Sequence, residues 1–194
     1  MKKKLLIIVC ILFTVASISA QTQPGLSIDE YTRIIRANPN DNNAYWYRAI
    51  AFADIGDIDR AIEDFSQVIR ITPNFIGAYD FRAVMYDIKG DFDLAIADCT
   101  QMLRLDPNNA RAYGIRGSIY HQKDDFDRAI ADCTQAIRLD PNDINAYFNR
   151  GLSYRDKRDY DRAITDFEAV LRIAPNTTLA ARENIERIRQ LRGR

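Results

Sequence analysis

An all-α fold of stacked antiparallel helix pairs is predicted by three observations. The sequence repeats with a period of 34 residues, its apolar residues recur four and then three apart within each period, and a proline closes every period. The period is plainest where FDLAIADCTQMLRLDPN, Phe92 to Asn108, returns as FDRAIADCTQAIRLDPN, Phe126 to Asn142, with three of seventeen residues changed. The closing prolines are Pro39, Pro73, Pro107, Pro141 and Pro175, each followed by asparagine. A residue before proline is pushed out of helical geometry, so each one ends a helix.

The elements follow in order. Lys2, Lys3 and Lys4 precede an apolar run from Leu5 to Val15 and then the small-residue stretch Ala16 to Ala20. Basic, apolar and small in that order reads as a secretory signal peptide over residues 1–20, cut after Ala20. An uncleaved membrane anchor is the alternative, although the run is short against the roughly 20 residues a spanning helix needs. Residues 21–26 read as a flexible leader. Residues 27–41 form an N-terminal half-repeat: Ser27 and Glu30 make a capping box, and Tyr31 and Ile34 share the register of the later second helices.

Four full repeats follow, at residues 42–75, 76–109, 110–143 and 144–177. The first helix of each carries an inward stripe: Tyr45, Tyr79, Tyr113, Tyr147; then Ala49, Ala83, Gly117, Gly151; then Phe52, Tyr86, Tyr120, Tyr154. The second carries Ala61, Ala95, Ala129, Ala163; then Phe65, Cys99, Cys133, Phe167; then Val68, Met102, Ala136, Val170. Small residues where the stripes face, such as Ala49 and Ala61, let the paired backbones approach. Between the helices stand IGDID, KGDFD, KDDFD and KRDYD. Gly56 and Gly90 suit a left-handed helix end, and Asp57, Asp91, Asp125 and Asp159 suit caps of the next helix. Arg158 breaks the glycine pattern at about 1 kcal/mol if the backbone is kept. Residues 178–194 repeat the first-helix spacing at Ala181, Ile185 and Ile188 with otherwise polar faces, as a closing helix requires.

This pattern resembles the tetratricopeptide repeat, whose signature W-x2-L-G-x2-Y, A-x3-F, P runs over 34 residues. The resemblance spans Asn42 to Pro175 and implies a solenoid of four full repeats, a half-repeat and a capping helix. It departs at the family's leucine place, where Arg48, Arg82, Arg116 and Arg150 stand. A half-buried arginine needs a partner, and the acid column of the second helices that never varies is Asp64, Asp98, Asp132, Asp166. A structural ladder of ion pairs, within or between hairpins, is expected; two solvated charge columns are the alternative.

Composition excludes several function classes. The chain has 27 basic and 27 acidic groups, and losing residues 1–20 removes three lysines, leaving 24 against 27. That balance gives nucleic acid no general attraction. Cys99 and Cys133, the cysteines beyond the leader, occupy equivalent places one repeat apart, beyond the roughly 7 Å Cα separation a disulfide spans, and read as small buried hydrophobes. There is one histidine, His121, expected at the surface, and no His-Glu-x-x-His helix, phosphate loop or paired-cysteine zinc motif. No catalysis, metal or cofactor is expected.

In the tetratricopeptide family the first helices line the concave face, so the resemblance makes their variable places the candidate groove. These include Asn43, Trp46, Tyr47, Ile50, Asp80, Phe81, Asp87, Arg111, Gly114, His121, Phe148 and Arg155. Family members that hold the acidic tails of heat-shock chaperones use lysine, asparagine and arginine here. This chain has Trp46 and Ile50 where that clamp would open. Its apolar and aromatic places suit a peptide with apolar anchors. A competing reading has Tyr47, Phe81 and Ile115 packed between helices, leaving Trp46 and Phe148 for a ligand. The expectation is an exported, periplasmic or secreted, non-catalytic scaffold for a protein or peptide. The alternatives are an oligomerising subunit of an envelope assembly or an accessory subunit of an enzyme complex. No nucleic acid partner and no membrane insertion after signal cleavage are expected, and the oligomeric state stays open.

Overall fold

The computed structural model describes residues 25–175 and 179–192, and among these there are ten α-helices and no strand. The segment read as an export signal lies outside the described residues. The chain divides into two compact units, Met1–Asp91 and Phe92–Arg194. The first contains α1 (Ile28–Ala37), α2 (Asn42–Asp54), α3 (Ile58–Ile71) and α4 (Ile76–Lys89). The second contains α5 (Phe92–Leu105), α6 (Ala110–Gln122), α7 (Phe126–Leu139), α8 (Ile144–Asp156), α9 (Tyr160–Ile173) and α10 (Leu179–Arg192).

In the first unit each helix packs on the next. The capping box at α1 forms: Glu30 N–H donates to Ser27 Oγ at 3.2 Å and Ser27 N–H to Glu30 Oε2 at 2.7 Å. Asp41 accepts from Ala44 N–H and Asp57 from Arg60 N–H, which satisfies backbone donors at the starts of α2 and α3. Gly56 (φ 77°) and Gly90 (φ 89°) take the left-handed conformation that lets the chain reverse between helices. Ala49 and Ala61 are fully buried, so α2 and α3 close on one another over Phe65, which is also fully buried. Burying such a ring contributes roughly 1.5–3 kcal/mol. Against α2, helix α1 buries Tyr31 and Ile35, with Ile34 only half-buried. Ile35 thus takes the buried place beside Tyr31, and Ile34 packs at its edge.

The second unit continues the same construction, again with sequential helices in contact and α6 also touching α8. Here the close approach is tighter. A Cβ on Gly117 would stand 2.6 Å from Cys133 Sγ, and one on Gly151 would stand 3.0 Å from the Phe167 ring. Both positions therefore have to be glycine or have their neighbours moved. Burial pushes the Cys133 thiol up to about 12, so it stays protonated and acts as a small apolar filler. Asp124 (φ 59°) and Arg158 (φ 62°) hold the left-handed turn that glycine holds in the first unit. Helix α10 buries Ala181, Ile185 and Ile188 against Phe167 and Val170 of α9 and so closes the apolar face of the last hairpin.

The arginine column is paired. Arg48 Nε donates to Asp64 at 2.7 Å, Arg116 Nε to Asp132 at 2.6 Å and Arg150 Nη2 to Asp166 at 2.7 Å, each within one hairpin. The same guanidinium also reaches back to the preceding hairpin's second helix. Its Nη1 donates to Thr32 from Arg48, to Ser66 from Arg82, to Thr100 from Arg116 and to Thr134 from Arg150, at 2.9 to 3.2 Å. One side chain thereby fixes both the closure of its own hairpin and the register of the hairpin before it. A second ladder runs through the turns, where Lys89 pairs with Asp59, Lys123 with Asp93 and Lys157 with Asp127. Each of these acids also lies in the first turn of its second helix.

Candidate interaction face

The variable first-helix residues of the first unit gather around Trp46. Its ring makes edge contacts with Phe65, Phe75 and Phe81, at centroid separations of 5.4, 5.0 and 5.1 Å. Such arrangements set the positive edge of one ring against the negative face of another. Trp46 and Phe81 are half-buried, and Phe75 is 37% exposed. Gly77 makes room for the cluster, since a Cβ there would lie 3.1 Å from Phe75 and 3.4 Å from Trp46. Tyr47 stacks on Tyr31 at 6.0 Å, Ile50 joins the apolar cluster beneath, and Asn43 is exposed one turn earlier. Asp80 and Asp87 lie half-buried on α4.

Phe75 is the residue that reading by columns missed. It occupies the N-cap of α4 without a side-chain cap bond, whereas Asp41, Asn109 and Asp143 cap the equivalent helices α2, α6 and α8. The signal was available: an apolar residue stands in the place that Asp41, Asn109 and Asp143 hold in the other full repeats. Trp46 is braced from the core side by Phe65 and Phe81 and is half-buried. Phe148, also half-buried, packs at 5.6 Å against Phe167 beside the core cluster of α8, α9 and α10.

In the second unit, Arg111 is exposed on the first turn of α6 and Gly114 lies half-buried one turn on. The place a Cβ would take on Gly114 is 3.3 Å from Asp143 Oδ2, so the capping carboxylate of α8 covers the space the absent side chain leaves.

His121 is not a surface residue. Its Nδ1 lies 3.2 Å from Ser153 Oγ, and the Ser153 hydroxyl already donates to Asn149 O at 2.8 Å. The hydroxyl therefore accepts from Nδ1–H, which leaves Nε2 bare in the neutral ring. Nε2 sits 3.8 Å from Asp156, whose two oxygens are held by Arg155 Nε and Nη2. Arg155 in turn donates from Nη1 to Asn184 on α10 at 2.6 Å. A polar chain thus ties α6 and α8 to the closing helix. Burial pushes the His121 pKa below its ordinary 6.5, with Asp156 opposing. Arg155 thus acts here as a tie to α10.

Among the described residues no group of three or more His, Cys, Asp or Glu side chains is placed to hold a metal ion. No described helix is long and apolar enough to cross a membrane.

Two tetratricopeptide-repeat family models match the chain, one over residues 117–193 and the other over residues 20–74 and 89–144. The chain belongs to the tetratricopeptide repeat family. Among solved structures, MamA of Desulfovibrio magneticus RS-1 superposes with a TM-score of 0.71 at 24% identity, over 78% of this chain and 85% of that one. YrrB, described as having an unusual peptide-binding site, superposes with a TM-score of 0.68 at 20% identity, over 86% of each chain. The first tetratricopeptide domain of Spaghetti, bound to an HSP90 peptide, gives 0.59 at 27% identity, over 61% of this chain and 94% of that one. No curated protein sequence matches.

Proposed function

We propose that the chain is an exported, non-catalytic interaction scaffold that holds a peptide or protein partner on the first-helix face of its repeats. The observation that carries this reading is Phe75. The start of α4 gives up a side-chain cap, worth about 1 kcal/mol in typical helices, to set an exposed ring beside Trp46 over Gly77. The ring contact with Trp46 offsets part of that loss, and an aromatic anchor for a partner's apolar side chain accounts for the face that stays exposed. Because the ring cluster is braced from below by Phe65 and Phe81, it is formed before a ligand arrives and little ordering cost falls on the receptor.

The shared fold with a Spaghetti domain that holds a peptide supports the same class of role. An acidic chaperone tail is a poor fit here, since Trp46 and Ile50 stand where that clamp would open. The basic, apolar and small order of residues 1–20 supports export. Its test is the N-terminus of the processed protein, which should begin at Gln21.

The test of the binding reading is a photo-crosslinking residue at the exposed Asn43, with adducts identified by mass spectrometry from cells that make the protein. A discrete partner should appear in the parent and disappear in Phe75→Asp, a change that restores the cap present at Asp41 and Asp143 and so leaves the fold intact. An adduct unaffected by Phe75→Asp and by Trp46→Ala would overturn the reading.

A further inference from the structure

The second helices carry one recurring cation column that the ion-pair ladders do not absorb. Arg36 and Arg70 in the first unit, and Arg104, Arg138 and Arg172 in the second, stand at a constant 34-residue step in the last turn of a second helix, and all are exposed. Every other recurring cation column of the second unit is matched to carboxylates: Arg116 and Arg150 to Asp132 and Asp166, Arg128 and Arg162 to their cap acids, and Lys123 and Lys157 to Asp93 and Asp127. Among the described residues, Arg104, Arg138 and Arg172 make no ion pair.

Their local bonds leave the charge unneutralised. Arg104 and Arg138 donate to Gln101 and Gln135 three residues earlier, at 3.4 and 3.1 Å, contacts that steady the side chain along the helix. For Arg104 and Arg138 the nearest acids in sequence, Asp106 and Asp140, are engaged by the backbone N–H groups of Asn108 and Asn142, and Arg172 has the exposed Glu168 four residues before it without an ion pair between them. A basic residue in a last turn is favoured by the helix dipole, which accounts for a cation of either kind. Arginine at all five places, in a chain that uses lysine for its turn ladder, points to the planar donor fork that pairs with carboxylates through two bonds.

We propose that Arg104, Arg138 and Arg172 form a docking face for an acidic segment of a partner protein, separate from the apolar first-helix face. Charge complementarity selects the occupant. One guanidinium per repeat, with glutamine three residues before Arg104 and Arg138, Glu168 four residues before Arg172, and Asp106 and Asp140 close by in sequence, is too dilute for an anionic bilayer, which is bound by dense clusters of about 4–8 basic residues. It matches carboxylates presented singly along a chain.

The test uses the full chain with fluorescent poly-L-glutamate as probe, read by anisotropy at low and physiological salt. The triple variant Arg104→Gln, Arg138→Gln, Arg172→Gln should bind about tenfold more weakly, in line with three exposed charge pairs lost together. The control Arg60→Gln, Arg128→Gln, Arg162→Gln removes the same charge from a paired column and should change binding less than about twofold. Equal loss in both variants, or none in either, would overturn the proposal. So would phosphatidylglycerol vesicles losing affinity for the column variant while poly-L-glutamate binding holds. Circular dichroism on each variant confirms that the helices are retained, and any variant that lost them would be replaced by the corresponding Arg→Lys set, which keeps the charge and should lose only the bidentate part.

Discussion

Arg116 grips Asp132 with two parallel bonds, from Nε to Oδ2 at 2.6 Å and from Nη2 to Oδ1 at 2.9 Å, across the two helices of one hairpin. Asp132 is buried, and the pair is shielded on one side by the Tyr113 ring, whose centroid lies 5.7 Å from the guanidinium carbon. The bond to Asp132 raises the pKa of Arg116 above its ordinary value. Arg116→Met leaves the carboxylate buried without its cation, and the expected loss is about 3 kcal/mol by chemical denaturation. Adding Asp132→Leu to that variant should recover most of the loss, because two apolar groups replace a pair that had to be desolvated. An unchanged denaturation midpoint in Arg116→Met would show that the pair is solvated in practice.

The ion pair also shows what the sequence makes legible. The Arg48 to Arg150 and Asp64 to Asp166 columns could be matched before any coordinates, because a 34-residue period brings like residues to like places and each unusual charge needs a partner. The hydroxyl column of Thr32, Ser66, Thr100 and Thr134 was invisible by the same method. A mid-helix Ser or Thr is unremarkable until an arginine sixteen residues away reaches it. The face on which Trp46, Phe148 and His121 lie follows from helical spacing, but their neighbours do not. Periodicity assigns direction, whereas the packing of Phe75 on Trp46 or Ser153 on His121 depends on residues that differ from repeat to repeat.

The contact of Gly117 with Cys133 yields a second test. Alanine at 117 would bring Cβ to 2.6 Å from the sulfur, with the Cys133 amide nitrogen at 3.2 Å and the Ala129 oxygen at 3.3 Å. Two of those three atoms are backbone and cannot rotate away. Gly117→Ala should therefore cost about 1–3 kcal/mol despite alanine's better helix propensity. Removing the sulfur in Gly117→Ala/Cys133→Ala should return part of that cost, giving a favourable coupling in a double-mutant cycle. Additive effects would mean that the backbone contacts dominate.

The left-handed turns give a prediction of opposite sign. Arg158 has φ 62° at the place where Gly56 and Gly90 sit in the first unit, and its Cβ makes this conformation costly. Arg158→Gly should stabilise the chain by about 0.5–1 kcal/mol, and Gly90→Ala should destabilise it by a similar amount. Melting temperatures of the two variants would move in opposite directions. If both fell, lost side-chain contacts of Arg158 would outweigh the relief of backbone strain.

The polar chain through His121 sets the pH response. Burial holds the folded-state pKa of His121 below 6.5, so between that value and the folded pKa the unfolded chain takes a proton that the folded chain refuses. Stability is therefore full above pH 6.5 and is lost as pH falls through that value toward the folded pKa. Asp156, and less so Asp124, oppose this, but Arg155 sits on both oxygens of Asp156 and itself lowers the His121 pKa, so burial prevails. His121 is the chain's only histidine, which isolates the effect. Melting curves between pH 7.5 and 5.5 should show a decline in the parent that His121→Gln flattens, since an amide can keep a bond to Ser153 without titrating. A parallel decline in both proteins would place the pH dependence elsewhere. Because Arg155 also donates to Asn184, the same titration should loosen α10 first, with amide exchange around Ile185 and Ile188 accelerating at the lower pH ahead of exchange in α7.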